Sequence, residues 1–142
     1  MATATWSWSD IRSGLADALE TVTDLRVHRE LVDKPTPPCV LIGPRKIEYY
    51  ATMGPGLSFI EFTLVLLAGA AGDRVPQDRL DRYLDPSGEY SLSAALRADT
   101  TLGGRVDDVI LDRLDEGSYG RVAWAGTDWW GATFSGRVNA AS

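Results

Sequence analysis

Few residues of this chain have side chains that commonly carry out chemistry. His28 is the only histidine and Cys39 the only cysteine among its 142 residues. A lone histidine excludes a metal site built from several histidines, and a cysteine-histidine pair would need the two residues on adjacent strands. No oxyanion motif lies beside either residue. We therefore expect a structural role for His28 and expect Cys39 to pack as a small apolar side chain.

Acidic residues concentrate between Asp107 and Glu116. Asp107 and Asp108 suggest a carboxylate pair, with Asp112, Asp115 and Glu116 as oxygen ligands for a cation. Consecutive strand residues point to opposite faces of a sheet, so this pair cannot line one site without a bulge. The glycine pairs lack the spacing of a phosphate loop, and no nucleophile elbow occurs. The sequence therefore predicts no catalytic, metal or cofactor-binding residues, and a protein that is not an enzyme.

The composition is that of an ordinary globular domain. Hydrophobic residues make up 44% of the chain and charged residues 24%, with 20 acidic and 14 basic residues and a net charge of −6. Because no cluster of lysine and arginine offers a patch for phosphates, stable nucleic-acid binding is not expected. The longest apolar stretch, Leu64 to Gly72, is far shorter than the roughly 20 residues that span a bilayer. With no signal-peptide pattern and one cysteine, we expect synthesis in a cytoplasm and no membrane association.

Three segments have the apolar spacing of amphipathic helices. The first begins at a cap on Ser7 or Ser9 and carries Ile11, Leu15, Leu19 and Val22 at helical intervals. The second follows Pro76, and its apolar residues are Leu80, Tyr83 and Leu84. The third is capped by Ser91, and its inward residues are Leu92, Ala95 and Leu96.

The remaining apolar segments have the alternation or the short length of strands. They are Leu25 to Val32, Cys39 to Ile42, Leu57 to Leu67, Arg105 to Leu114, Tyr119 to Ala125 and Trp129 to Val138. Gly43 and Pro44 predict the end of the second strand, because proline cannot donate a ladder hydrogen bond. This order predicts one α+β domain over residues 1–142, with a mostly antiparallel sheet and helices packed on one face.

The long central strand indicates which face of the sheet meets the helices. One set of alternate residues should pack against them, namely Ile60, Phe62, Leu64 and Leu66. On the opposite face, apolar residues such as Phe59, Val65, Trp124 and Trp129 need cover from a partner. The segment from Arg45 to Gly56 adds aromatic residues without a helical or core period, as in an extended hairpin or loop. We therefore predict a subunit interface at Tyr49, Tyr50, Met53, Phe59 and Trp129.

One stretch resembles a known family. The segment from Tyr83 to Val109, YLDPSGEYSLSAALRADTTLGGRVDDV, is similar to a stretch common in tail terminator and neck proteins of long-tailed phages that infect actinobacteria. In it, a short helix and a Leu-Gly-Gly turn lead into a strand. The order of elements over nearly the whole chain is also similar to the tail terminator architecture, from the N-terminal helix to the aromatic strand that begins at Trp129.

The resemblance implies a structural virion protein that needs interfaces and no active site. It implies a homo-oligomer, a hexameric ring stacked on the last ring of the tail tube protein, which stops tube polymerisation. The other surface of the ring would meet the head-tail connector or stopper protein, with DNA passing through the lumen without specific binding. The expected location is the head-proximal end of the tail in the virion, and no cofactor is expected.

Two other interpretations remain open at the level of sequence. A head-tail stopper or another tail-completion protein would share ring formation but contact different partners. A small α+β enzyme or ligand-binding domain belongs to a different class and would need a pocket between helices and sheet. A deep polar pocket holding Asp107 or His28 would favour that second interpretation.

Overall fold

A computed structural model of the chain describes residues 7–22, 25–28, 38–48, 57–70, 77–103, 106, 108–115, 119–124 and 126–141. These residues form a single α+β fold with three helices and six strands. In chain order the elements are α1 (Trp8–Leu19), β1 (Arg26–His28), β2 (Cys39–Glu48), β3 (Leu57–Ala70), α2 (Gln77–Leu84), α3 (Leu92–Arg97), β4 (Asp108–Leu114), β5 (Gly120–Trp124) and β6 (Thr127–Ala141).

The six strands form one mixed sheet in the order β1-β2-β3-β6-β4, with β5 also paired to β6. β1 runs parallel to β2, and the other pairs are antiparallel. The two halves of β6 have different partners, because β5 pairs with residues 127–131 and β4 with residues 134–139. The predicted α+β class is confirmed, and the sheet is mixed because of β1.

Local capping explains where α1 and α3 begin. The Ser7 hydroxyl accepts a hydrogen bond from Asp10 N at 3.1 Å, so Ser7 is the cap of α1 and not Ser9. Ser91 caps α3 as predicted, because its Oγ accepts from Ala94 N at 3.0 Å. The same hydroxyl donates to Asp85 O at 2.5 Å and thereby links α3 to the residues that follow α2.

The helices all pack on one face of the sheet, which we call the inner face. The predicted alternation on β3 is confirmed, because Ile60, Phe62, Leu64 and Leu66 are fully buried against helical residues. Burial of each such side chain stabilises the fold by roughly 1.5 to 3 kcal/mol. The helical contribution to this core comes from Ile11, Leu15, Leu19, Leu80, Tyr83, Leu92 and Leu96.

β2 is longer than the sequence predicted. Gly43 and Pro44 do not end it, since the strand continues to Glu48 and Pro44 lies opposite Phe62. Beyond Leu41, the described residues pair β2 only with β3, so a proline can occupy this edge. The register shifts between Pro44 and Lys46, as in a β-bulge. The extra residue at the bulge explains why β2 continues with its apolar residues on the inner face.

β3 and β6 also extend past their predicted limits. β3 continues beyond Leu67 through a register shift between Leu67 and Gly69. At this point β6 approaches very closely, because a Cβ atom added to Gly131 would lie 2.0 Å from Leu66 O. A glycine is therefore required in β6 where the central pair of strands is irregular. The predicted strand from Leu25 to Val32 is described only as far as His28.

Candidate subunit interface

The face of the sheet opposite the helices, the outer face, differs between its two ends. At one end, Leu41 of β2 and Val65 of β3 are neighbours in the register, and Cys39 and Leu67 form the next pair. Towards the other end, Lys46 lies opposite Glu61 in the strand register, and Glu61 lies opposite Arg137 of β6. The outer face therefore has an apolar end and a charged end.

The hairpin formed by β5 and β6 covers the apolar end. Val122 and Trp124 of β5 and Trp129 of β6 pack against buried residues of the central strands. The Trp129 indole N–H donates to Trp124 O at 3.4 Å, which fixes one ring beside the other strand of the hairpin. We call this group the tryptophan cluster, and its members are Cys39, Leu41, Val65, Leu67, Val122, Trp124 and Trp129.

A groove of about 240 Å³ remains between Trp124 and the sheet. We call it the Trp124 groove, and it is lined by Leu41, Ile42, Gly43, Pro44, Thr63, Val65 and Trp124. The lining is mostly apolar, so water in the groove has few partners for hydrogen bonds. A Cβ atom placed on Gly43 would have no atom within 4 Å, so the missing side chain keeps this part of the groove open.

Arginines and one buried serine connect the strands at the charged end. Arg45 Nη1 donates to Ser135 Oγ at 2.5 Å, and Ser135 Oγ donates to Asp115 Oδ1 at 2.6 Å. Ser135 is only 4% exposed, so these bonds satisfy a hydroxyl that water does not reach. Arg113 Nε lies 3.8 Å from Asp115 Oδ1. These four residues, which we call the arginine clasp, link β2 and β6 to the end of β4.

The edge strand β4 presents an exposed aliphatic side chain between acidic residues. Ile110 is 40% exposed and lies opposite Arg137 of β6. On its other side, β6 pairs with β3, where Arg137 lies opposite Glu61. Asp108 and Asp112 flank it in sequence. Because Arg137 Nε is 3.8 Å from Asp112 Oδ2, this part of the edge combines an apolar side chain with a surface ion pair.

The structure describes two of the predicted interface residues, Phe59 and Trp129, and places them at opposite ends of the outer face. Phe59 is half-buried at the charged end of the outer face, where it pairs with Asn139. Trp129 belongs to the tryptophan cluster, opposite Ala70 at the far end of β3. At roughly 3.3 Å per strand residue, about 36 Å separates these two positions. Tyr49, Tyr50 and Met53 lie outside the described residues.

Cys39 and His28 lie on adjacent strands, the one arrangement in which the sequence allowed a catalytic pair. In the register, however, Cys39 is opposite Arg26, and His28 is opposite Leu41. Burial raises the pKa of the Cys39 thiol to about 11, while the positive charge of Arg26 acts in the opposite direction. The thiol therefore stays protonated near neutral pH, and the protonated form is a poor nucleophile. Burial, followed by the charge of Arg26, lowers the pKa of His28.

The acidic residues near the end of β4 are engaged by arginines. Asp112 is close to Arg137, and Asp115 accepts from Ser135 and lies 3.6 Å from Arg45. Asp107, one member of the carboxylate pair considered from the sequence, and Glu116 lie outside the described residues. Within the described part of the chain, no group of three or more His, Cys, Asp or Glu residues could hold a metal ion.

Sequence reasoning missed both the Trp124 groove and the arginine clasp. Gly43 was interpreted as the end of a strand, and Arg45 as the start of an extended hairpin or loop, because the bulge between Pro44 and Lys46 gives no periodic signal. Alternation with Phe134 and Gly136 places Ser135 on the outer face, but its partners Arg45 and Asp115 are distant in sequence and no local pattern predicts them.

Comparison with known proteins gives no further guide to the site. No family model matches the chain. No curated protein matches it in sequence. None of the helices that the structure describes is long and apolar enough to cross a bilayer.

Proposed function

We propose that this protein is a tail terminator of a long-tailed bacteriophage. Its subunits form a ring, with six as the expected number, that caps the tail tube, stops its polymerisation and joins the tail to the head connector. The protein acts by occupying a surface and does not turn over a substrate. Its partners are other copies of itself, the tail tube protein and the connector or stopper protein.

The observation that carries this proposal is the incomplete cover of the outer face. All three helices pack on the inner face, and within the described residues the outer face receives only the chain's own β5–β6 hairpin. The hairpin leaves the Trp124 groove open beside Leu41 and Val65. An apolar groove of this kind is a surface that an apolar side chain of a partner can fill.

The arrangement of the surface also favours contacts between unlike patches. The groove lies on β2 and β3, whereas the exposed Ile110 lies on the edge strand β4. Where each of these patches contacts a different neighbour, the contacts are heterologous, and they close into a ring when the rotation between subunits permits it. A ring is the form that a terminator needs.

Deletion of the gene from a phage that carries it tests the proposal. We expect full heads without attached tails, together with tubes of irregular and often excessive length, both seen by electron microscopy. Tubes of normal length that fail to join heads would favour the head-tail stopper instead. Normal tube length and normal joining in the deletion would refute both neck functions.

A further inference from the structure

We propose that the tip of the β5–β6 hairpin unfolds from the outer face as one unit while the rest of the fold stays native. The unit, which we call the hairpin arm, consists of residues 121–124 of β5 and residues 127–130 of β6. Its unfolding uncovers Cys39, Leu41 and Leu67, which are almost completely buried when the arm is closed. The arm thus controls how much apolar surface the outer face presents. This behaviour belongs to the single chain and does not depend on the proposed ring.

A line of backbone irregularities separates the hairpin arm from the rest of the sheet. Gly120 of β5 lies opposite Gly131 of β6, so both strands of the hairpin have a glycine at the same level. Gly120 has a φ of +112°, a conformation that residues with a side chain rarely adopt. The register between β3 and β6 shifts directly after the pair that Gly131 forms with Leu67. The sheet is therefore irregular at one level across β5, β6 and β3, and the arm can separate there.

The chain directly before the hairpin arm is held by the body of the protein. Asp115 belongs to the arginine clasp, and Tyr119 Oη donates to Asp81 Oδ1 of α2 at 2.5 Å. Within the arm, the Trp129 indole N–H donates to Trp124 O and so joins the two strands of the arm to each other. The body therefore holds the chain up to the boundary, while the bond within the arm couples its two strands.

The hairpin arm is less buried than the strands from which it extends. The described side chains of the arm are either exposed or half-buried. The half-buried ones are Val122, Trp124, Trp129 and Trp130. Directly beyond the boundary, Ala132 of β6 is completely buried. Because segments with few buried apolar contacts unfold at a lower free energy than the core, the arm should open while the inner face remains packed.

Two features favour unfolding of the hairpin arm as one unit over gradual fraying from its tip. In the described part of the chain, β5 pairs with β6 alone, and an isolated two-stranded hairpin is marginally stable at best in water. Side chains from both strands of the arm also pack on the same tryptophan cluster. Release of one strand therefore removes the support of the other, and the ladder between them is lost together with the cluster.

Hydrogen exchange of the unmodified protein tests the boundary. After correction for intrinsic rates, we expect the amide groups of residues 127–130 to exchange at one common rate. This rate should be at least about a hundredfold faster than that of residues 132–138 on the same strand. The step should fall at Gly131. Equal protection along β6, or protection that rises gradually from residue 127 to residue 138, overturns the proposal.

The buried thiol of Cys39 provides a second readout, because it lies in the cluster that the hairpin arm covers. Gly126→Ala strains the turn of the arm, where φ is +79° and a Cβ atom would meet nothing within 4 Å. Unfolding of the arm relieves this strain, so we expect labelling of Cys39 by a thiol reagent to become about tenfold faster.

The matched control places the same substitution in a turn outside the hairpin arm. Gly88 lies between α2 and α3, with a φ of +104° and no atom within 4 Å of an added Cβ. Gly88→Ala should lower the midpoint of thermal unfolding but leave the labelling rate of Cys39 unchanged, because the strain is relieved only when the helical layer unfolds.

The two variants separate the routes by which a reagent reaches Cys39. Faster labelling in Gly126→Ala alone supports unfolding of the hairpin arm. Faster labelling in both variants means that global unfolding exposes the thiol, and an unchanged rate in both means that another segment uncovers it. Either of these two results overturns the proposal. Tail capping plays no part in these measurements, so failure of the terminator role and failure of the arm to open are distinguishable.

Discussion

The two faces of the sheet are built differently although they share the same strands. On β3, Leu64 points to the inner face and is completely buried, whereas its neighbour Val65 points to the outer face and is half-buried. Three helices pack on the inner face, while a hairpin and a polar clasp occupy the outer face. The inner face therefore supplies most of the stability of the fold, and the outer face is free to evolve contacts with other molecules.

The largest expected effect comes from truncation on the inner face. Leu64→Ala should lower the free energy of unfolding by about 2 to 5 kcal/mol, because it removes buried methyl groups and leaves a cavity. Val65→Ala is the matched control on the outer face and should cost about 1 kcal/mol or less. Chemical denaturation measures both values. Equal losses would contradict the division between the two faces.

Loss of the Trp124 indole, which covers the apolar end of the outer face, should have an intermediate effect on the free energy of unfolding. Trp124→Ala uncovers Leu41 and Leu67 in the tryptophan cluster, and we expect it to cost about 1 to 3 kcal/mol. Trp124→Phe should retain most of the cover and most of the stability. Urea unfolding of the two variants checks the order, and an alanine variant as stable as the parent would mean that the hairpin does not cover this end.

The arginine clasp should depend on its buried serine more than on its exposed arginine. Ser135→Ala leaves Arg45 and Asp115 without the hydroxyl that joins them, and the expected loss is about 1 to 3 kcal/mol. Arg113 is 62% exposed, so Arg113→Ala should change the unfolding free energy by less than about 1 kcal/mol. The reverse order in thermal or chemical denaturation would show that the network is held by surface charge.

The smallest expected effect is the pH dependence that His28 contributes. Burial and the charge of Arg26 lower its pKa from the ordinary value of 6.5. The unfolded chain therefore binds a proton more readily, so the contribution of His28 to stability falls as pH drops below 6.5 and levels off below the lowered pKa. His28→Gln should become slightly more stable relative to the parent over that window. A difference in unfolding free energy between His28→Gln and the parent that does not change with pH would contradict this prediction.

Local patterns in the sequence predicted the inner face well. Alternation on β3, helical spacing on α1 and the cap at Ser91 each involve residues that are close in the chain, and the structure confirms them. These signals are strong because one side of each element must be buried. The fold class follows from the order of such elements.

The outer face could not be predicted in the same way, because it depends on pairings between distant residues. The bulge after Pro44 changes which β2 residues face outward. The alternation of apolar residues in the sequence does not predict a single extra residue. The bond from Arg45 to Ser135 spans 90 positions in the chain. The sequence predicted that Trp124 and Trp129 are apolar residues that need cover. It did not predict that these two residues and Leu41 would partly cover one another.

The most direct test of the terminator proposal is a titration of purified protein into an extract from the deletion phage. A cap occupies each tube end once, so the number of joined particles should rise in proportion to added protein and level off near one ring per tail. The variant Ser142→Ala, at a position outside the described residues, serves as a handling control for purified material. Restoration of joining by trace amounts, far below one ring per tail, would contradict a stoichiometric cap and indicate a catalytic role.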